Sequence, residues 1–168
     1  MKRDFASLTA QEALHVAVFI EERNAQIYEN FAAMFGEFHD PESQEIAAAF
    51  RDMAQEERQH GSTLQGRYLA RYGTQQCTLT DQDVRDVIEV PEMEDGEMLI
   101  LGRPSRHKAL EVALAAERHA CNFYGKLVET TRQPELRALY QEFAGMERDH
   151  EFFLENKIAA EKSRAGGA

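Results

Sequence analysis

Two stretches of the chain match each other without a gap, and the similarity falls on polar residues. The first reads FRDMAQEERQH and ends at His60, and the second reads YQEFAGMERDH and ends at His150. Each contains a glutamate three residues before the histidine, namely Glu57 and Glu147. Residues three apart on a helix project from the same face. The repeat therefore predicts two helices that each present a Glu-His pair able to hold one metal ion.

Four long segments with helical periodicity account for most of the sequence. Their expected bounds are about 9–35, 41–72, 106–130 and 134–162. Thr9 and Glu12 have the spacing of a capping box at the start of the first segment, and Ser105 is the expected N-cap of the third. Gly36 and Gly73 end the first two segments. The tail SRAGGA is expected to be frayed.

The second and third segments are separated by about thirty residues, 73–104. A connection of that length usually has a purpose. Here it can carry the chain back across a bundle, with 81–90 as a short extra helix. Two helix pairs joined by one long crossover form the ferritin-like type of four-helix bundle. We predict one all-α domain over residues 1–168, with its core at about 9–162.

A second repeated pattern links the first and third segments: a glutamate is followed seven residues later by a tyrosine. The pairs are Glu21 with Tyr28 and Glu117 with Tyr124. Seven residues are close to two helical turns, so each pair lies on one face about 10 Å apart. Both glutamates fall on otherwise apolar faces, where an unpaired charge is very costly. These glutamates are therefore candidates for metal ligands.

Glu22 competes with Glu21 for the position on the first helix. The ERNA stretch that begins at Glu22 matches the ERHA stretch at Glu117 by identity. The face of Glu22, however, would also include His15 and Glu29, which makes it wet. The apolar face and the tyrosine spacing both select Glu21, and this is the interpretation we prefer.

Six side chains are thus candidate metal ligands: Glu21, Glu57, His60, Glu117, Glu147 and His150. Four glutamates balance the four positive charges of two divalent ions. Carboxylate and imidazole ligands suit iron or manganese. The two cysteines, Cys77 and Cys121, form no C-x-x-C pair, which excludes a zinc knuckle or a rubredoxin-type iron site as a sequence motif.

Simpler explanations compete with each metal assignment. Glu12 and His15 have the same spacing as the repeated pairs but no counterpart in the third segment, and Glu12 is expected to cap its helix. Tyr28 and Tyr124 either pack in the core or hydrogen-bond a ligand carboxylate across the bundle. Glu56 is expected at the helix surface or just outside the ligands.

The combination of motifs resembles the rubrerythrin-like branch of the ferritin-like superfamily, over roughly residues 9–160. The resemblance implies a di-iron carboxylate site at the centre of the bundle, with Glu57 and Glu147 bridging the two ions. The remaining ligands would be terminal, with one pair on each iron: Glu21 with His60, and Glu117 with His150.

The resemblance also implies a function, that of a non-haem di-iron oxidoreductase. It would react with oxygen or peroxide and receive electrons from an external donor, and manganese or zinc could replace the two iron ions. The sequence lacks the cysteines of a rubredoxin domain, and Leu114 and Ala120 stand near the place of an additional family glutamate. Both departures count against full peroxidase activity. The alternative is an iron-handling protein, for oxidation, binding or storage of iron.

The charge balance excludes one class of partner. The net charge of -11 opposes nucleic-acid binding, which depends on basic residues. The longest apolar run near the start, VAVFI, is too short to span a membrane, and no signal-peptide h-region is seen. We expect a soluble cytoplasmic homodimer.

The register of the repeat can be tested by substitution. Glu57→Ala or Glu147→Ala is expected to abolish binding of the second metal ion, because each would remove a bridging ligand. Glu56→Ala is the control and is not expected to abolish binding of the second ion. Anaerobic titration with ferrous iron counts the ions per chain, and equal loss at Glu56 would contradict this register.

Overall fold

The computed structural model describes residues 7–80, 83 and 106–165, and these residues form four long α-helices. The helices are α1 (Ala10–Gly36), α2 (Pro41–Tyr72), α3 (Arg106–Thr130) and α4 (Pro134–Ala165). The predicted all-α fold is confirmed. The prediction that the tail SRAGGA is frayed was wrong in part, because α4 continues to Ala165. Ser163 Oγ donates to the carbonyl of Ala159 at 3.0 Å. Ser105 and the short helix predicted over 81–90, apart from Asp83, lie outside the described residues.

Side-chain caps fix where α1 and α2 begin. The backbone N–H of Glu12 donates to Thr9 Oγ1 at 3.2 Å, and the N–H of Thr9 donates to the Glu12 carboxylate at 2.9 Å. This is the capping box that the sequence predicts. Asp40 accepts from the N–H of Ser43 at 2.9 Å at the start of α2. Gly73 ends α2 with a φ of 60°, a conformation that glycine adopts readily.

Buried apolar side chains form two clusters at different heights along the bundle. The first cluster contains residues within 13–20 of α1, 64–68 of α2, 120–127 of α3 and 136–143 of α4. The second contains residues within 27–35 of α1, 46–54 of α2, 109–114 of α3 and 154–158 of α4. The first cluster therefore precedes the second in sequence along α1 and α4, and follows it along α2 and α3. Helices α1 and α4 therefore run opposite to α2 and α3. It follows that α2 ends and α3 begins at opposite ends of the bundle, as a crossover connection requires.

Each helix carries one buried glutamate between the two apolar clusters. Glu21, Glu57, Glu117 and Glu147 are all 0% exposed. Their positions fall in the sequence gaps between the apolar ranges of their helices. We call this level of the bundle the polar layer. Apolar side chains close it off at both ends.

Helices α1 and α2 approach closely beside the polar layer, at Gly61. A Cβ atom added there would lie 3.5 Å from Glu21 Cβ and 3.9 Å from Glu22 Cγ. An alanine methyl fits at that distance, but a longer side chain would meet the backbone-proximal part of Glu21. The small residue therefore allows α1 to lie close to α2 beside Glu21.

Two substitutions at Gly61 test this close approach. Gly61→Ala is expected to be tolerated, because alanine favours a helix by about 1 kcal/mol over glycine. Gly61→Leu is expected to lower the free energy of unfolding by roughly 1–3 kcal/mol through overpacking. Urea denaturation measures both. Gly66→Leu is the matched control, since nothing lies within 4 Å of a Cβ added there, and equal stability of the two leucine variants would contradict the contact.

Candidate metal centre

The structure brings the six predicted ligands together in the polar layer. They form two overlapping groups, in each of which one ligand atom per residue lies within 4.8 Å of the others: Glu21, Glu57, His60 and Glu147, and Glu57, Glu117, Glu147 and His150. Glu57 and Glu147 belong to both groups, as expected of bridging ligands. Glu22 is exposed, so the structure places Glu21 in the cluster.

Both histidines turn the same ring nitrogen toward the carboxylates. His60 Nδ1 lies 3.2 Å from Glu21 Oε2. His150 Nδ1 lies 3.0 Å from Glu57 Oε1 and 3.5 Å from Glu117 Oε2. The two imidazole rings are nearly parallel, with an interplanar angle of 21° and centroids 5.9 Å apart. The two copies of the sequence repeat therefore place their histidines in matching orientations relative to the buried carboxylates.

Two buried tyrosines donate hydrogen bonds to the buried glutamates of α1 and α3. Tyr28 donates a hydrogen bond to Glu117 Oε1, and Tyr124 donates one to Glu21 Oε1. Burial raises the pKa of both phenols well above the ordinary value, and Glu117 and Glu21 raise the pKa of Tyr28 and Tyr124 further. Both hydroxyls thus stay protonated and donate. Each leaves the Oε2 atom of its glutamate facing a histidine. Of the two alternatives for the tyrosines, the structure thus shows the hydrogen bond to a carboxylate across the bundle.

The polar layer contains buried nitrogen and oxygen atoms that face one another as possible metal ligands but make no hydrogen bond. Among the described side chains, ten buried polar atoms have no hydrogen-bond partner, and eight of them belong to the six candidate ligands. They are Glu21 Oε2, both oxygens of Glu57, His60 Nδ1, Glu117 Oε2, both oxygens of Glu147 and His150 Nδ1. Burying such atoms unpaired is costly. Oxygen and imidazole donors without sulfur fit iron or manganese ions.

Comparison with known proteins agrees with this geometry. A family model described as Rubrerythrin matches residues 12–97 and 108–165, a span that includes all six candidate ligands. The chain belongs to the rubrerythrin family. A comparison with curated proteins gives no match.

A solved structure supports the same fold. It is the crystal structure, at 2.00 Å resolution, of an uncharacterized conserved protein from Magnetospirillum magnetotacticum MS-1. The similarity has a TM-score of 0.70 and 23% sequence identity, and it covers 91% of this chain and 95% of that one. The ferritin-like architecture expected of a rubrerythrin family member is thus found here. Among the described residues, no helix has the length and apolar character needed to cross a membrane.

In this rubrerythrin family member, burial has the largest effect on the pKa values of the two glutamates that belong to both ligand groups. Burial raises the pKa of Glu57 and of Glu147 well above the ordinary value, and repulsion from Glu21 and Glu117 adds to the shift, while His150 partly opposes it at Glu57. Burial lowers the pKa of His150, but the carboxylates of Glu117 and Glu57 outweigh burial and raise it to about 11. Without cations, the layer therefore retains protons that metal binding would displace.

Glu56 makes a contact that sequence reasoning did not assign. Its Oε2 atom lies 2.7 Å from Nε2 of His150, the ring nitrogen that points away from the carboxylate cluster. The Glu56 side chain is 60% exposed and that of His150 is 10% exposed. Glu56 is thus both at the helix surface and in contact with a candidate ligand. The repeat could not reveal this contact, because Glu56 has no matching glutamate in the second copy.

Other residues considered from the sequence lie outside the cluster. Glu12 caps α1, and His15 lines a surface cleft. Leu114 and Ala120 are buried in the apolar clusters, so neither place supplies a seventh carboxylate. Cys121 is half-buried, and its thiol contacts the carbonyl of Ala144. None of these residues belongs to a metal-capable group among the described residues.

The raised pKa values predict how stability depends on pH. Because Glu57 and Glu147 bind protons more tightly when folded, protein prepared without metal is expected to lose stability as pH rises above their ordinary pKa of 4.5. The loss is at most about 1.4 kcal/mol per pH unit for each group. Urea denaturation at several pH values between about 5 and about 8 measures it.

The control is the double variant Glu57→Gln with Glu147→Gln, which should show a weaker dependence on pH. Added metal is expected to reverse the trend, since deprotonated ligands bind cations better. Identical pH profiles for the wild type and the double variant would contradict the assignment.

Proposed function

We propose that this chain is a di-iron carboxylate oxidoreductase that reacts with oxygen or peroxide. The observation that carries the proposal is the set of eight buried ligand atoms in the polar layer that have no hydrogen-bond partner. Membership of the rubrerythrin family supports iron as the metal. The two overlapping ligand groups support two ions rather than one.

Each ligand would have a defined part in holding the pair. Glu57 and Glu147 would contact both ions, and each ion would gain one terminal pair: Glu21 with His60, and Glu117 with His150. Two bound ferrous ions would supply two electrons to the oxidant. The four carboxylates would neutralise the charge of the two ions, which makes their burial tolerable.

The surrounding side chains would restrict how the ligands move. Tyr28 and Tyr124 fix one oxygen of each terminal glutamate, so each glutamate presents a single oxygen to the cluster. Apolar clusters on both sides keep bulk water out of the polar layer. Ala120 is fully buried and brings no further carboxylate. The site is thus proposed to work with six ligands, without the extra glutamate described for rubrerythrins.

The proposal includes partners that lie outside the chain. Turnover would need an external electron donor, because the two ions would be left oxidised after each reaction. We propose a homodimer in the cytoplasm and no role for nucleic acid or membrane. Manganese or zinc would bind the same six residues, but zinc would not support redox chemistry.

Iron handling is the second candidate function, and the acidic surface favours it. The net charge of -11 attracts cations toward the protein. In this case the centre would oxidise or hold iron and then release it, without repeated turnover. Gel filtration separates a dimer from a large storage shell.

Anaerobic loading followed by oxidant mixing tests the leading proposal. The wild type is expected to bind two ferrous ions per chain and to be oxidised on mixing with oxygen or peroxide, with repeated turnover when a reductant is supplied. His150→Ala should bind one ion fewer than the wild type. His15→Ala is the matched control, because His15 has the same Glu-x-x-His spacing but lies outside the cluster. Oxidation followed by iron release would favour iron handling, and absence of both binding and oxidation would overturn both functions.

A further inference from the structure

The two halves of the centre have matching ligands but different surroundings. Glu56 Oε2 lies 2.7 Å from His150 Nε2. When FRDMAQEERQH is placed on YQEFAGMERDH, Glu56 falls on Met146. A thioether is only a weak acceptor. The position that would serve His60 in the same way therefore offers it no carboxylate.

When His150 is neutral, as a metal ligand must be, its contact with Glu56 would determine which ring nitrogen keeps the proton. His150 Nδ1 faces the buried carboxylates and Nε2 faces Glu56. A neutral imidazole has one N–H and one lone pair. When Glu56 accepts the Nε2–H, the lone pair of Nδ1 is directed at the cluster. A carboxylate on the outer nitrogen of a ligating histidine fixes its orientation and increases its basicity.

We propose that Glu56 is a positioning residue that makes the Glu117/His150 half of the centre the tighter of the two metal positions. This inference rests on the proposed two-metal function. The six repeated ligands alone would give two positions of similar affinity, and the exposed side chain of Glu56 would make them unequal.

The contact between Glu56 and His150 contributes little to the stability of the fold. Ion pairs with an exposed member contribute little to stability, and the Glu56 side chain is 60% exposed. Another ion pair, Glu45 with Lys157 at 2.6 Å, also joins α2 to α4 but involves no candidate ligand. Removal of Glu45 is therefore a matched control for the loss of a contact between these two helices.

Calorimetric titration of the full chain with Co²⁺, after removal of metal by a chelator, tests the proposal. The wild type is expected to bind two ions in steps of unequal affinity. Glu56→Ala should weaken the tighter step about 10- to 100-fold, the usual effect of losing such a partner, and leave the other step unchanged. Glu56→Gln keeps a hydrogen-bond acceptor and should lose less. Glu45→Ala should change neither step.

The reverse substitution supplies a gain-of-affinity test. Met146→Glu should strengthen the weaker step and bring the two affinities closer together, because it supplies a carboxylate at the position that matches Glu56. Thermal melting of each variant without metal checks that it remains folded. A purely structural role for Glu56 would change the melting temperature and leave the separation of the two steps intact.

Several results would overturn the inference. Equal affinities in the wild type would do so, as would loss of both steps to the same extent in Glu56→Ala, or the same loss in Glu45→Ala. These results would leave the proposed function standing, because two ions would still bind. A wild type that binds no Co²⁺ and no ferrous iron would overturn both proposals together.

Discussion

The burial of four carboxylates at one level of the bundle is the constraint on which the rest of the structure depends. Ionised carboxylates in an apolar interior are unfavourable unless they are paired with cations or protonated. Here apolar clusters lie on both sides of the polar layer, and each helix contributes one fully buried glutamate. The raised pKa values of Glu57 and Glu147 are the direct sign of this conflict. Two divalent cations, as proposed for this layer, would relieve it by supplying the opposite charge.

Hydrogen bonds across the bundle tie the two helix pairs together at this level. Tyr28 on α1 donates to Glu117 on α3, and Tyr124 on α3 donates to Glu21 on α1. Each pair thus orients a candidate ligand of the other. The two bonds are related by the sequence repeat, so a change in the spacing of α1 and α3 would affect both terminal glutamates at once. The ligand geometry and the packing of the helix pairs are therefore one problem rather than two.

Much of this arrangement could be predicted from the sequence because the relevant information is local. The Glu-x-x-His spacing, the capping box and the glutamate–tyrosine pairs each depend on helical periodicity within a few turns. The contact between Glu56 and His150 joins residues 94 positions apart. Helical spacing shows that Glu56 lies beside Glu57, but not which helix faces it. The last turn of α4 was missed for another reason: its glycine-rich neighbours suggested fraying, yet Ser163 still bonds to the preceding turn.

The same comparison of copies shows how a repeated motif acquires unequal halves. Gly61 in α2 lets α1 approach closely, whereas the matching place in α4 holds Glu151, whose carboxylate accepts from Arg118 at 2.8 Å. Helices α1 and α2 thus meet at a small residue, whereas α3 and α4 are joined at the matching place by an ion pair. In the same two copies, α2 has Glu56 in contact with His150, whereas the matching place in α4 holds Met146. Matching ligand types predict two metal positions, but the affinity of each position would also depend on the residues that orient its ligands.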